Sequence, residues 1–229
     1  MLHAQDNKIS KIRCSFSEME NLKDIFFYNN LLEDDFLDHP LKETVFASNE
    51  HMRRIDFGKN MLSFVPKFVF NTKNLSQLSI SKNNLKFIEK EISSLSNLRI
   101  LDLSFNNIVS GLENINPLSS LLTIQLHDNK IQDFSPLDVT NFKLCREITM
   151  QHNCFVDLPQ QILLLSENRD YYFKFNLPSL IYQNDNFCLY LGDKESASNL
   201  EVMKHRNIKK VFFFLILFFF FFLFYLLIL

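Results

Sequence analysis

Along most of the chain, apolar and polar residues alternate over short stretches, and these stretches recur in one frame. Leu101-Asp102-Leu103 and Leu78-Ser79-Ile80 have the period of a strand that faces a core on one side only. Around each strand an apolar residue stands three positions upstream, and an Asn and a further apolar residue stand three and five positions downstream. The clearest copy is Leu98, Leu101, Leu103, Asn106 and Ile108. Its neighbours are Leu75, Leu78, Ile80, Asn83, Leu85 and Leu121, Ile124, Leu126, Asn129, Ile131. Weaker copies are Met52, Ile55, Phe57, Asn60, Leu62; Cys145, Ile148, Met150, Asn153, Phe155; and Leu22, Ile25, Phe27, Asn30, Leu32. From Met52 onward the copies begin 23, 23, 23 and 24 residues apart. A fixed period with constant internal spacing predicts stacked coils, in which each copy buries its apolar face against the next.

The Asn of each copy has a short amide that can satisfy buried backbone groups where the chain leaves the strand. Stacking predicts a ladder of Asn30, Asn60, Asn83, Asn106, Asn129 and Asn153. After each Asn the apolar spacing widens, as in Leu85, Ile88, Ile92 and Leu95, and this return segment closes the coil as a helix, 3₁₀ turn or extended arc. On these residues the chain resembles the leucine-rich repeat family over residues 22–165. The resemblance implies an α/β class solenoid with a short parallel sheet on its concave face. It also implies a non-catalytic protein-binding role, as an adaptor, scaffold or regulatory subunit.

An open solenoid end exposes apolar surface and strand edges, so caps are expected. Residues 1–21 are assigned to an N-terminal cap, with Ile12, Cys14, Phe16 and Met19 as a partial coil. Residues 166–192 are assigned to a degenerate C-terminal cap holding a faint seventh copy: Leu177, Leu180, Tyr182, Asp185 and Phe187. Residues 193–210 turn polar and then basic, as a tether would.

Residues 211–229 (VFFFLILFFFFFLFYLLIL) carry no charge. As a helix they span roughly 28 Å, the hydrocarbon thickness of a bilayer. Insertion is favourable by about 6–11 kcal/mol. Lys204, His205, Arg206, Lys209 and Lys210 precede this stretch and keep that flank cytosolic by the positive-inside bias. Met1 to Arg13 has no apolar stretch of the secretory kind. The expectation is a cytosolic repeat domain held on a membrane by one C-terminal transmembrane helix. The absence of a basic tail after Leu229 favours the endoplasmic reticulum. A run of nine Phe in nineteen residues is also what compositional bias alone produces. The alternative is a soluble recognition or regulatory subunit of a larger complex, of the ubiquitin ligase or phosphatase type.

A net charge of −2 with scattered Lys and Arg excludes a nucleic-acid footprint. Cys14, Cys145, Cys154 and Cys188 form no Cys-x-x-Cys pair, and Cys145 takes a Leu position of the frame. His152 and Cys154 are spaced as a nucleophile or metal pair would be, but no third group orients them. The acidic run Glu33, Asp34, Asp35 and Asp38 falls in the long first repeat, where a solvated loop is expected. Phosphate-binding glycine loops, dinucleotide turns and zinc-protease helices are missing from the sequence. No enzyme, cofactor, metal or small-molecule substrate is expected.

The variable residues of each strand frame then line the concave face. The candidate partner-binding set is Phe26 and Tyr28; Arg53, Arg54, Asp56 and Lys59; Arg99, Ile100, Asp102 and Phe105; Leu122, Gln125 and His127; and Arg146. Arg53, Arg54 and Lys59 are expected to form a basic corner. Ile100, Phe105 and Leu122 are expected to put apolar groups on neighbouring repeats. Aromatic and Arg anchors of this kind are the usual energetic centres of interfaces.

Overall fold

The computed structural model describes residues 1–16, 19, 21–37 and 51–155, with the backbone of 172–174. Eight strands form one parallel sheet in chain order: β1 (Leu2–His3), β2 (Asp24–Phe26), β3 (Arg54–Asp56), β4 (Gln77–Ser79), β5 (Ile100–Asp102), β6 (Thr123–Gln125), β7 (Glu147–Thr149) and β8 (Tyr172–Lys174). The register never slips, since Ile25, Ile55, Leu78, Leu101, Ile124 and Ile148 pair in line. One neighbour per coil and one coil per period is the stacked solenoid that the spacing predicts.

The apolar frame residues fill the interior as one continuous core running from Ile12 to Phe155. Its bulkiest part lies in the early coils. Phe57 meets Phe27 at 5.8 Å, Phe36 at 5.5 Å and the edge of Phe68 at 6.1 Å between ring centroids. Opposite the sheet the chain returns in short 3₁₀ turns, Lys67–Asn71, Lys90–Ser94, Leu112–Ile115 and Val139–Asn141, each burying apolar side chains inward. Among the described residues no α-helix occurs. The α/β expectation therefore reduces to a parallel sheet backed by 3₁₀ turns. A helical run of three to five residues is too short to repay helix nucleation, and tight turns take its place.

The asparagine ladder is present and fully bonded. Asn106 Nδ2 donates to the carbonyls of Leu103 (3.0 Å) and Ser104 (3.2 Å) in its own coil and of Ile80 (2.9 Å) in the preceding one. Its Oδ1 accepts from the Leu85 N–H at 3.0 Å. Asn60, Asn83, Asn129 and Asn153 repeat this pattern, and all the ladder amides from Asn30 to Asn153 are buried. The residue just before each rung takes a left-handed conformation: Asn29, Lys59, Lys82, Phe105, Asp128 and His152, with φ between 53° and 55°. Its N–H reaches the following coil, as Lys59 to the Ser81 carbonyl at 2.7 Å.

Two coils depart from the sequence expectations. The N-terminal cap is itself a coil in register, with β1 paired to β2, Asp6 left-handed at φ 59° and Asn7 at the rung position. Asn7 bonds its own Ala4 and Gln5 carbonyls as every rung does, but from an exposed site. Of the four residues expected to build this cap, Ile12 and Phe16 are buried, while Cys14 and Met19 are exposed. At the other end, β8 pairs Phe173 with Ile148, which places a strand at 172–174 within the expected C-terminal cap. Leu177 to Phe187, the tether and residues 211–229 fall outside the described residues. Among those described, no helix is long and apolar enough to cross a membrane.

Candidate functional site: the concave sheet and its two rims

Each coil contributes the same positions to the concave surface, so the side chains stand in columns across the strands. Phe26, Asp56, Asp102 and Gln125 occupy the central column, all half-buried. Arg54 and Ile100 stand beside them one pleat earlier. Arg53, Arg99, Leu122 and Arg146 sit just before their strands and form one rim. Lys59 and Phe105 occupy the left-handed turns after the strands and belong to the opposite rim, with Tyr28 and His127 just inside it.

This layout dissolves the expected basic corner. Arg53 and Lys59 lie at opposite ends of β3. Arg54 donates through Nε and Nη2 to the two oxygens of Asp24, at 2.7 and 2.9 Å, and its guanidinium lies 5.3 Å from the Phe26 ring centre. The hydrogen bonds from Arg54 hold the Asp24 carboxyl below its ordinary range against the opposing effect of burial. Arg54 is thus a cross-strand clamp between β2 and β3, and its charge is already answered. The expected apolar trio is likewise divided: Ile100 lies on the sheet, Leu122 on one rim and Phe105 on the other.

Phe105 is an exposed ring on the rim. It is 45% exposed, stands edge-on to the His127 ring at 5.0 Å, and has the Lys82 ammonium 5.4 Å from its centre. Behind it the floor is made of small residues, Gly58, Ser81 and Ser104. A Cβ on Gly58 would come within 2.9 Å of the Tyr28 ring, so glycine lets that ring lie against the floor. Asp56 and Asp102 flank Ser79 in the central column, and the Ser79 hydroxyl donates to Asp102 at 3.3 Å. Burial pushes the Asp56 carboxyl above its ordinary range, opposed by the Gly58 N–H and assisted by the Asp102 charge.

Sequence reasoning missed the grouping of His127, Asp128 and His152. Nδ1 of His127 lies 2.8 Å from one Asp128 oxygen, and Nδ1 of His152 lies 2.9 Å from the other. Aligning the frames would have found it, because 128 and 152 share one column. His152 therefore turns to Asp128 and makes no described hydrogen bond to Cys154. Cys145 is a core residue whose thiol burial pushes up to about 12, far from thiolate chemistry. Among the described residues no group of three His, Cys, Asp or Glu side chains is arranged so that it could hold a metal ion. The acidic loop is partly engaged: Asp34 accepts from the Ser63 N–H at 2.7 Å, and Asp35 pairs with Lys11 at 2.6 Å.

Comparison with known proteins agrees with this architecture. The leucine-rich repeat family model matches residues 50–108, so this stretch is leucine-rich repeat sequence. Solved structures carry the fold likeness further along the chain. An internalin from Listeria monocytogenes superposes with a TM-score of 0.62 at 21% identity, over 77% of this chain and 46% of its own. A leucine-rich repeat protein of Leptospira interrogans gives 0.51 at 22% identity, over 71% and 46%. The ectodomain of a plant membrane receptor kinase from Arabidopsis thaliana, solved in complex with Casparian strip integrity factor 2, gives 0.58 at 20% identity, over 73% and 20%. The chain thus spans less than half the length of these three. No curated protein matches it in sequence. At these identities the likeness defines the fold, a leucine-rich repeat solenoid.

Proposed function

We propose that the chain is a non-catalytic protein-binding module that presents its concave sheet to a partner and is held at a membrane by residues 211–229. Leucine-rich repeats are in general protein-interaction scaffolds, and the Arabidopsis ectodomain was solved in complex with Casparian strip integrity factor 2. The observation that carries the reading here is Phe105. A large ring stands exposed on the rim, oriented by Lys82 and His127, where a polar residue would cost nothing. Around it Tyr28, Asp56, Asp102, Gln125 and His127 offer half-buried polar contacts on a fixed backbone. The anchor is supported by the length, apolarity and basic flank of the C-terminal segment, and the cytosolic placement of the repeats rests on the same basic flank.

Phe105→Glu combined with Lys59→Glu tests the face without touching the Asp24–Arg54 clamp. Proteins crosslinked to the wild-type chain in cells should be lost from this variant, while its thermal unfolding stays within a degree or two. An unchanged crosslinking pattern would move the binding surface elsewhere. Alkaline carbonate extraction tests the anchor, and release into the soluble fraction would favour the soluble-subunit reading instead.

A further inference from the structure

We propose that the rim preceding the strands is a docking groove for a short acidic segment of a partner protein that also carries a leucine-like side chain. The inference rests on the protein-binding reading above and adds a second site with its own chemistry. Six residues stand in line there: Lys23, Arg53, Ser76, Arg99, Leu122 and Arg146. Backbone bonds fix the line, each N–H donating to the preceding carbonyl: Arg53 to Lys23 (2.6 Å), Ser76 to Arg53 (2.8 Å), Arg99 to Ser76 (2.8 Å), Leu122 to Arg99 (2.7 Å) and Arg146 to Leu122 (2.8 Å). Four of the six are exposed cations and none is acidic. None of the four forms an ion pair with a described residue, in contrast to Arg54 one position away.

Beside this line lies a groove of about 640 Å³ whose lining includes Arg53, Ser76, Arg99, Leu122 and Leu144. Arg53 is turned toward it, with Nη1 donating to the Asn74 carbonyl at 3.1 Å. Leu144 forms an apolar wall and is 59% exposed. Neighbouring strands are about 4.8 Å apart, so Arg53 and Arg99 stand roughly 10 Å apart along the line and Leu122 roughly 5 Å beyond. A partner segment in the polyproline II form rises about 3.1 Å per residue and returns to the same side every third residue. Carboxylates three positions apart therefore meet the two arginines, and an apolar side chain two positions later reaches the wall made by Leu122 and Leu144.

The chemistry favours a short acidic peptide over a nucleic acid. The cationic line is interrupted by an apolar residue, and Asp56, Asp102 and Glu147 stand on the sheet beside it, where an extended polyanion longer than the line would be repelled. The whole chain is net negative at −2.

The test is fluorescence anisotropy on full-length protein in nonionic detergent, with fluorescein-labelled Glu-Gly-Ser-Glu-Gly-Leu as probe. The same peptide with Lys for Glu and a twelve-residue oligothymidylate serve as comparisons. Saturable binding of the acidic peptide is expected, weakened about tenfold or more by Arg53→Glu with Arg99→Glu and about threefold by Leu144→Ser. If the charge reversal unfolds the protein, Arg53→Gln with Arg99→Gln replaces it. Phe105→Glu with Lys59→Glu should leave peptide affinity unchanged, which separates this groove from the concave face. No saturable binding by the acidic peptide overturns the proposal. So does affinity indifferent to the arginine changes, equal affinity for the Lys peptide, or tighter binding of the oligothymidylate.

Discussion

Two adjacent columns of the solenoid obey opposite rules. The rung column is Asn in every coil from Asn7 to Asn153, whereas the column one residue earlier reads Asp, Asn, Lys, Lys, Phe, Asp and His. Both are demanded by the backbone. The rung needs a side chain that donates to three carbonyls and accepts from one N–H at a buried site, and no other short side chain offers an NH2 donor group together with a carbonyl acceptor. The position before it needs only a positive φ, and its side chain points to solvent. Asn and Asp meet that need with least strain, yet Lys59, Lys82 and Phe105 accept the cost. A buried polar requirement fixes the residue, while a conformational one leaves its chemistry free for the surface.

The comparison can be broken most forcefully through the core beneath it. Leu101→Asp places an unpaired charge at a fully buried site between β4 and β6 and should cost several kcal/mol, unfolding neighbouring coils together. Circular dichroism of the variant should show loss of more than one coil's worth of strand signal. Asn106→Ala leaves the Leu85 N–H and the Ile80, Leu103 and Ser104 carbonyls without their partner, which should cost about 2–4 kcal/mol in urea unfolding. The same change at Asn7, whose amide is exposed, should cost under about 1 kcal/mol. Equal losses at 7 and 106 would show that burial is not what fixes the rung.

In the neighbouring column the sign should reverse. Lys59→Asn keeps the left-handed turn with less strain and should gain about 0.5–1 kcal/mol. The smallest effect is expected at Asp56, whose carboxyl is held above its unfolded range. A raised carboxyl favours the folded state when protonated, so its ionisation costs stability as the pH rises through the folded value. Asp56→Asn should therefore raise the melting temperature slightly at neutral pH, with the gain fading as the pH falls through the raised folded value and gone below the ordinary Asp value near 3.8. A gain that persists in acid would assign the effect to packing.

Periodicity made the six coils from Leu22 onward and their ladder legible, because core spacing and rung chemistry are both written in side chains. The coil at Leu2 escaped notice because Ala4 is a weak apolar signal, although Leu2, Ala4, Asn7 and Ile9 keep the frame. The strand at 172–174 escaped because Asp170, Tyr172 and Phe173 carry no rung Asn behind them at the usual spacing. The surface was less legible. Whether Arg54 is free depends on Asp24, thirty residues away, and only superposing frame on frame shows that the two share a pleat position. The same superposition reveals the line of Lys23, Arg53, Arg99 and Arg146.

Between Asn30 and Asn60 the chain runs thirty residues, against 23 between Asn60 and Asn83. The rung bonds are nevertheless the same in both: Leu32 N–H to Asn60 at 3.0 Å and Leu62 N–H to Asn83 at 2.9 Å. The pitch of the assembly is thus metered at the sheet and its amide seam, and not by the number of residues between two rungs. A change of length between two rungs that spares the strand and amide positions should therefore leave the neighbouring coils in step.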